Sequence, residues 1–262
     1  TAWREYSLYG GLPKLRAISD ERDKAAYLES IFAQTYLKDI LERNDVRNSG
    51  ELSELLDYVA SSVGGLSNPK KLSDTFKSVK QVSVHPDTVK SYLDYFEDSF
   101  LISRAVRYDI KGKRYINTPC KYYFTDVGLR NARLHFRQYE ETHIMENVIY
   151  NELCARGYAV DVGVVEVTEQ TAEGKKTQKQ LEVDFVCNRG SSRVYVQSAL
   201  SIPDAQKERQ EQRPLERTGD SFKKIIIARD IPTHYNDSGI LILNLFDFLR
   251  NADRSEERRV GK

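Results

Sequence analysis

At 262 residues, with 40% hydrophobic and 30% charged content, the chain has the composition of a folded protein of one or two domains and not of a disordered one. A formal net charge of +1 excludes attraction of nucleic acid by the overall field, so any such contact has to come from a local patch. No apolar run approaches the roughly 18 residues of a spanning helix and no secretory leader opens the chain, so a cytoplasmic location without a membrane partner is expected.

The elements follow in order. Residues 1–19 hold Tyr9-Gly10-Gly11-Leu12-Pro13, a turn signal that reads as a loop between two helices. A long amphipathic helix is expected over 20–43, with Tyr27, Leu28, Ile31, Phe32, Leu37, Ile40 and Leu41 inward and Ser19 or Asp20 as its cap. A helix over 51–63 stops at Gly64-Gly65, and Asn68-Pro69 starts the next, to about residue 79. His85-Pro86 opens a third, to about residue 100, with Val89, Tyr92, Leu93 and Phe96 on its apolar face. Strands over 101–108 and 115–124 flank the turn Ile110-Lys111-Gly112-Lys113. Three short helices and a hairpin describe a winged helix-turn-helix.

Its third helix carries Asp87, Asp94, Glu97 and Asp98 against the single Lys90, a balance that phosphates repel. The basic residues of this region are Lys70, Lys71, Lys77 and Lys80 on the second helix and Lys111, Lys113 and Arg114 on the hairpin. They form a candidate nucleic-acid patch, although lysines so scattered are also what a solvated face looks like. Packing of the third helix against protein is the expectation.

After a short helix near 125–130 and a connector over 131–143, the pattern runs helix (144–153), strands (158–167, 180–186 and 193–200), helix (204–217), strand (223–228), strand (240–244) and a terminal helix, with 169–179 as a hairpin loop. The alternation around Val183 and Phe185, and around Val194 and Val196, predicts Asp184 and Gln197 on one face of adjacent strands. A helix Glu146, a strand Asp184 and a polar Gln197 can converge on one hard cation, the geometry of a Mg²⁺-dependent phosphodiesterase. Gln197 and Ala199 stand where such a site needs a carboxylate and a lysine, and Lys207 on the next helix is the candidate substitute for the lysine.

Other constellations carry less. His143 and Glu146, and Glu146 and Tyr150, are a helical turn apart, a spacing typical of surface pairs. His85, His135 and His234 share no ligand or triad spacing, and Ser191-Ser192 has no base nearby in sequence. Cys120, Cys154 and Cys187 are too scattered for a disulfide framework or compact zinc site and suit buried thiols in a reducing compartment.

The ordered set Tyr9-Gly10-Gly11-Leu12-Pro13, Tyr36-Leu37-Lys38-Asp39-Ile40, the segment from Lys121-Tyr122-Tyr123-Phe124 through Thr125-Asp126-Val127-Gly128-Leu129-Arg130, Glu146-Asn147-Val148-Ile149-Tyr150-Asn151-Glu152-Leu153 and Glu182-Val183-Asp184-Phe185-Val186 resembles the C-terminal half of a family of bacterial and archaeal AAA-type ATPases. The resemblance covers nearly the whole chain to about residue 250. It implies α+β or α/β architecture: the end of an ATPase lid at 1–45, a winged helix at 46–130, and a restriction-endonuclease-like mixed sheet flanked by helices at 131–250. This last part is similar to the PD-(D/E)xK nuclease fold, in whose working members the helix Glu and strand Asp bind Mg²⁺ and a Glu and Lys on the next strand complete the site. By that resemblance Glu146 and Asp184 are the metal candidates, Gln197 replaces a carboxylate and Ala199 the lysine, so Mg²⁺ is not expected at the site. No Gly-x-x-x-x-Gly-Lys-Ser/Thr loop occurs, which places ATP and its Mg²⁺ in a domain upstream. Residues 251–262 read as a tail, with 254–262 resembling translated sequencing adapter.

The expectation is thus a regulatory and interaction half, itself non-catalytic with a decayed site, whose partner is another protein or the upstream ATPase domain. The alternatives are a Mg²⁺-dependent DNA endonuclease and a nucleic-acid-binding module without cleavage.

Overall fold

The computed structural model describes residues 2–80, 83–170 and 175–251, with Val79 and Lys80 described by backbone alone. The expected tail at 254–262 lies outside the described residues. The chain forms two compact units: Thr1–Ala105 with Thr118–Val148, and Val106–Asn117 with Ile149–Lys262. The cuts fall elsewhere than at the expected boundaries of 45 and 130.

The first unit is helical. It holds α1 (Ala2–Tyr9), a 3-10 turn (Pro13–Ala17), α2 (Glu21–Ile31), α3 (Lys38–Arg43), α4 (Ser49–Ser61), α5 (Pro69–Thr75), α6 (Pro86–Asp98) and α7 (Val127–Arg133). A π-helical turn, Phe32–Leu37, joins α2 to α3, so the helix expected over 20–43 is continuous with a widened middle. A second such turn, Phe76–Lys80, extends α5. The caps follow local chemistry. Asp20 accepts from the N–H groups of Arg22 and Asp23, and Asn68 accepts from Lys71 N–H at 2.8 Å with Pro69 beside it. The buried face of α6 is Val89, Tyr92, Leu93 and Phe96, as its period demands, and α4 and α5 pack on α6.

Two sequence motifs lock together here. Asp126 caps α7 through the N–H groups of Gly128 and Leu129, and its Oδ2 accepts from Gly11 N–H at 2.7 Å. Gly10 has φ +76°, and a Cβ there would stand 2.0 Å from Asp126 Oδ1. A Cβ on Gly128 would stand 2.0 Å from the Tyr9 carbonyl oxygen. Asn131 then donates to the carbonyls of Ser7 and Leu8, closing the end of α1. The Gly-Gly turn is therefore a socket for one carboxylate and not merely a loop.

The chain continues through β1 (Ile102–Asp109), β2 (Arg114–Phe124), α8 (Glu141–Ala155), β3 (Ala159–Gln170), β4 (Lys176–Arg189), β5 (Ser192–Ala199), α9 (Ala205–Glu216), β6 (Lys223–Ala228), β7 (His234–Tyr235), β8 (Leu241–Asn244) and α10 (Leu245–Arg250). Among the described residues the strands form one mixed sheet in the order β2-β1-β3-β4-β5-β6-β8-β7. The β1–β3, β5–β6 and β6–β8 pairs are parallel, while β3–β4, β4–β5 and β7–β8 are antiparallel. The architecture is mixed α/β, with helices flanking the sheet.

Three local expectations are corrected. The hairpin expected within the winged helix at 46–130 is also part of the large sheet, since β1 pairs with β3 at Tyr108–Gly163; Tyr108 and Ile110 are apolar and join Val165, Leu181 and Val183 in one core cluster. Of the loop expected over 169–179, the described residues except Lys175 are strand, because β3 and β4 stay paired from Val167–Lys179 to Gln170–Lys176; residues 171–174 lie outside the described ones. Apart from half-buried Val167 the paired residues there are polar, so no alternation of apolar and polar residues marks it. Cys154 is exposed, whereas Cys120 and Cys187 are buried with thiol pKa values pushed up by desolvation.

Candidate functional site

Strands β4 and β5 pair Phe185 with Val196 and Val186 with Tyr195, and one further step brings Asp184 opposite Gln197. Against β3, Val183 pairs with Gly163 and Val186 with Asp161, so β4 carries an extra residue at Asp184–Phe185. Such a bulge re-aims a side chain out of the regular pleat. Both Asp184 and Gln197 are buried. Ser198 N–H donates to Asp184 Oδ2 at 2.8 Å, and the Asp184 N–H points to Gln197 Oε1 at 3.4 Å. Adjacency of the two residues is therefore as the alternation predicts.

Ala199 is 3% exposed and sits with Leu215 of α9 and Ile226 of β6 in the apolar cluster. A longer charged side chain there would have to leave that cluster or stay buried without a partner. Lys207 is paired with Glu211, one turn along its own helix.

Glu146 lies on α8 in the first unit, whose portion of that helix ends at Val148. Its Oε1 accepts from Lys121 Nζ at 2.9 Å and from Tyr123 OH at 2.7 Å, and all three side chains are buried. Gly64 packs against the carboxylate, where a Cβ would stand 3.2 Å from Oε1. This replaces the expected surface pair of Glu146 with His143 or Tyr150. The arrangement is a buried ion pair with a charge-assisted hydroxyl bond. No group of three or more His, Cys, Asp and Glu side chains is placed to hold a metal among the described residues.

The basic candidates divide between the units. Lys70, Lys71 and Lys77 are exposed on the first, with Lys71 Nζ on the Leu66 carbonyl; the side chain of Lys80 lies outside the described ones. On the second, Lys111 Nζ donates to the Glu166 carbonyl and Arg114 pairs with Asp109 at 3.3 Å, while Lys113 is exposed.

One cluster escaped the sequence. Arg193 at the start of β5 donates from Nε to Asn188 Oδ1 at 2.7 Å, and its guanidinium lies 4.8 Å from the Tyr108 ring centre and 5.5 Å from that of Phe222. Tyr115 packs on Tyr108 at 5.1 Å, its hydroxyl directed at Asp161 Oδ2. Tyr195 donates to Asp220 Oδ2 at 2.6 Å. Its members come from four separate segments, so no spacing announces it. An exposed Phe beside a lysine-rich strand start, Phe222-Lys223-Lys224, is the one local signal.

The profile of the family described as Domain of unknown function (DUF8612) matches residues 1–140. The chain belongs to this family. In this DUF8612 chain the matched part ends one residue before α8 begins at Glu141. A Haemophilus influenzae protein, named as uncharacterized, is 33% identical over 247 residues, 94% of this chain and 57% of its own length. The uncharacterized protein MJ1544 of Methanocaldococcus jannaschii is 26% identical over 235 residues, 90% of this chain and 49% of its own. The chain thus spans about half the length of the curated relatives it matches. Among solved structures, protein VC1899 from Vibrio cholerae aligns with TM-score 0.30 and 11% identity over 91% of this chain and 56% of that one.

Proposed function

We infer that this DUF8612 chain is the regulatory and interaction half of a larger ATP-binding protein of the AAA type. On this reading α4, α5, α6 and the β1–β2 hairpin derive from a winged helix. The sheet that follows is a nuclease-like PD-(D/E)xK domain kept as a scaffold after its site decayed. The length of the relatives leaves room for an ATP-binding core of similar size.

The observation that carries the reading is the use made of Ala199 and Gln197. A hydrolytic site would need a lysine at 199 to orient water, and that position is filled by a methyl group in the apolar core. The neighbouring Gln197 is neutral. Asp184 already receives a backbone N–H, and in the first unit Glu146 is neutralised by Lys121. A hard divalent cation wants several anionic oxygens, so Mg²⁺ does not fit these donors, and no step is derived through it. Loss of both the cation and the oriented water removes two separate contributions to lowering the hydrolytic barrier.

The test is incubation of the purified chain with single- and double-stranded DNA in Mg²⁺ or Mn²⁺. No cleavage is expected, with Gln197→Glu plus Ala199→Lys as the variant that could restore it. Metal-dependent cleavage by the unaltered chain, lost on Asp184→Ala, would overturn the reading in favour of an endonuclease; the bulge at Asp184 is the feature that reading would explain.

A further inference from the structure

We propose that the second unit binds single-stranded nucleic acid on an aromatic and basic face centred on Arg193, a proposal independent of whether the Asp184 site is active. Its geometry is continuous. Tyr115 packs on Tyr108, Arg193 lies over Tyr108, and the same guanidinium lies over Phe222. Phe222 also meets the Tyr195 ring edge-on at 6.3 Å. The two outer members are exposed far beyond what large rings favour, Tyr115 at 58% and Phe222 at 42%. The inner ones, Tyr108 and Tyr195, are buried and fix the outer ones in place.

The rings are held, not merely left outside. Tyr115 OH is tied to Asp161, Tyr195 OH to Asp220, and Arg193 Nε to Asn188. Burial raises the Asp161 carboxyl pKa, opposed by the Tyr115 hydroxyl and the charge of Arg193. Asp161 and Asp220 are thereby occupied within the platform. The hairpin carrying Tyr115 adds the exposed Lys113, and Lys224, in register with Tyr195, lies on the same face of the sheet, whereas Arg114 is paired with Asp109.

Exposed rings at both ends of a stacked guanidinium, with Lys113 on the hairpin and Lys224 beside Tyr195, match unpaired bases and their phosphates. Stacking on aromatic faces tolerates every base, and cations beside the rings follow the backbone. A duplex keeps its base faces covered and would meet only the charges. The occupant assigned is therefore a single strand of a few nucleotides, recognised without sequence preference.

The experiment uses the whole 262-residue chain. Fluorescence anisotropy is measured with a labelled oligothymidylate of about 20 nucleotides and with a duplex of the same length, at low and moderate salt. Preferential binding of the single strand is expected. Tyr115→Ala with Phe222→Ala should weaken it about tenfold or more, with circular dichroism and melting unchanged enough to show folding. Phe222→Ala alone removes no hydrogen bond and should give an intermediate loss, while Tyr115→Phe, which keeps the ring but gives up its tie to Asp161, should lose less affinity than Tyr115→Ala. Lys70→Glu with Lys77→Glu, on the first unit, should leave affinity within about twofold, against the tenfold expected for lost stacking.

Absence of binding, equal binding of strand and duplex, or undiminished binding by the folded double variant would overturn the proposal. So would a double variant that alters the oligomeric state in sedimentation while the parent binds no oligonucleotide, since a second copy would then be what covers the rings. Cleavage plays no part in these readouts, so failure here is distinguishable from failure of the scaffold reading.

Discussion

Gly10 and Asp126 are far apart in sequence and act as one unit. Any Cβ at position 10 would collide with the carboxylate it encloses, and φ +76° is itself strained for an L side chain. Gly10→Ala should therefore cost at least about 2 kcal/mol in urea unfolding, where an ordinary surface glycine would gain or lose a few tenths. Asp126→Asn should also destabilise, because one amide oxygen cannot serve three N–H donors on both sides of the carboxyl. A loss below about 0.5 kcal/mol in both would show that the socket matters little. Glu97 gives a pH signature. Desolvation raises its pKa above the ordinary 4.5, with Arg104 opposing and Asp94 and Asp98 adding, and its Oε1 has no hydrogen-bond partner among the described residues. A carboxyl raised on folding lends its stability below its unfolded pKa and loses it as pH rises through the folded value. Glu97→Gln, neutral throughout, should melt roughly 2 °C higher than the parent at pH 7. The gap should close as the pH falls below about 4.5, and a constant gap would disprove the assignment.

Helices were the most legible elements. The starts at Asp20, Asn68 and His85 are written in capping residues and prolines, and the structure places them there. Helix α6 also keeps Asp87, Asp94 and Asp98 off its buried face, with Glu97 half-buried, and it packs on α4 and α5 with Val89, Leu93 and Phe96 on its buried side. Neutralising Asp87 and Asp94 should leave oligonucleotide affinity unchanged within about twofold at moderate salt, and a gain of tenfold would implicate that helix. The link from α8 to β2 was not legible. Lys121 reads as one more strand lysine, yet it is buried against Glu146 and Tyr123. Removing one charge of a buried pair is far costlier than replacing both. Lys121→Met should destabilise by about 3 kcal/mol or more, with Lys121→Met plus Glu146→Leu recovering most of it. Equal losses in single and double variants would argue against a compensated pair. The pairing of β1 with β3 was equally hidden, because a parallel partner across an intervening hairpin, α7 and α8 leaves no local spacing to read. The candidate site was half legible: alternation gave the adjacency of Asp184 and Gln197, but a bulge has no sequence period, and Arg193 meets its neighbours only through the fold.

At the scale of the whole molecule, each unit is assembled from two stretches of chain. The core of the second needs Tyr108 and Ile110 from the hairpin beside Val165, Leu181 and Val183. A truncated chain starting at 149 keeps β3 to β8 but loses that edge, exposing apolar surface and the unpaired rim of β3. It should aggregate or show a broad, weakly cooperative melt, whereas the full chain should yield no stable fragment of that kind under limited proteolysis. A soluble, sharply melting 149–262 fragment would show the hairpin to be dispensable.

The parallel pairing of β1 with β3 also sets an order of events during synthesis. Asp109 and Ile110 emerge from the ribosome before Val164, the residue whose carbonyl receives the Ile110 N–H. The intervening stretch of about fifty residues takes roughly three to ten seconds to translate at ordinary elongation rates. Throughout that interval the hairpin carries apolar Tyr108 and Ile110 and an edge awaiting its partner. The nascent chain must therefore hold one piece of its second core in reserve while the rest of that core is still being made.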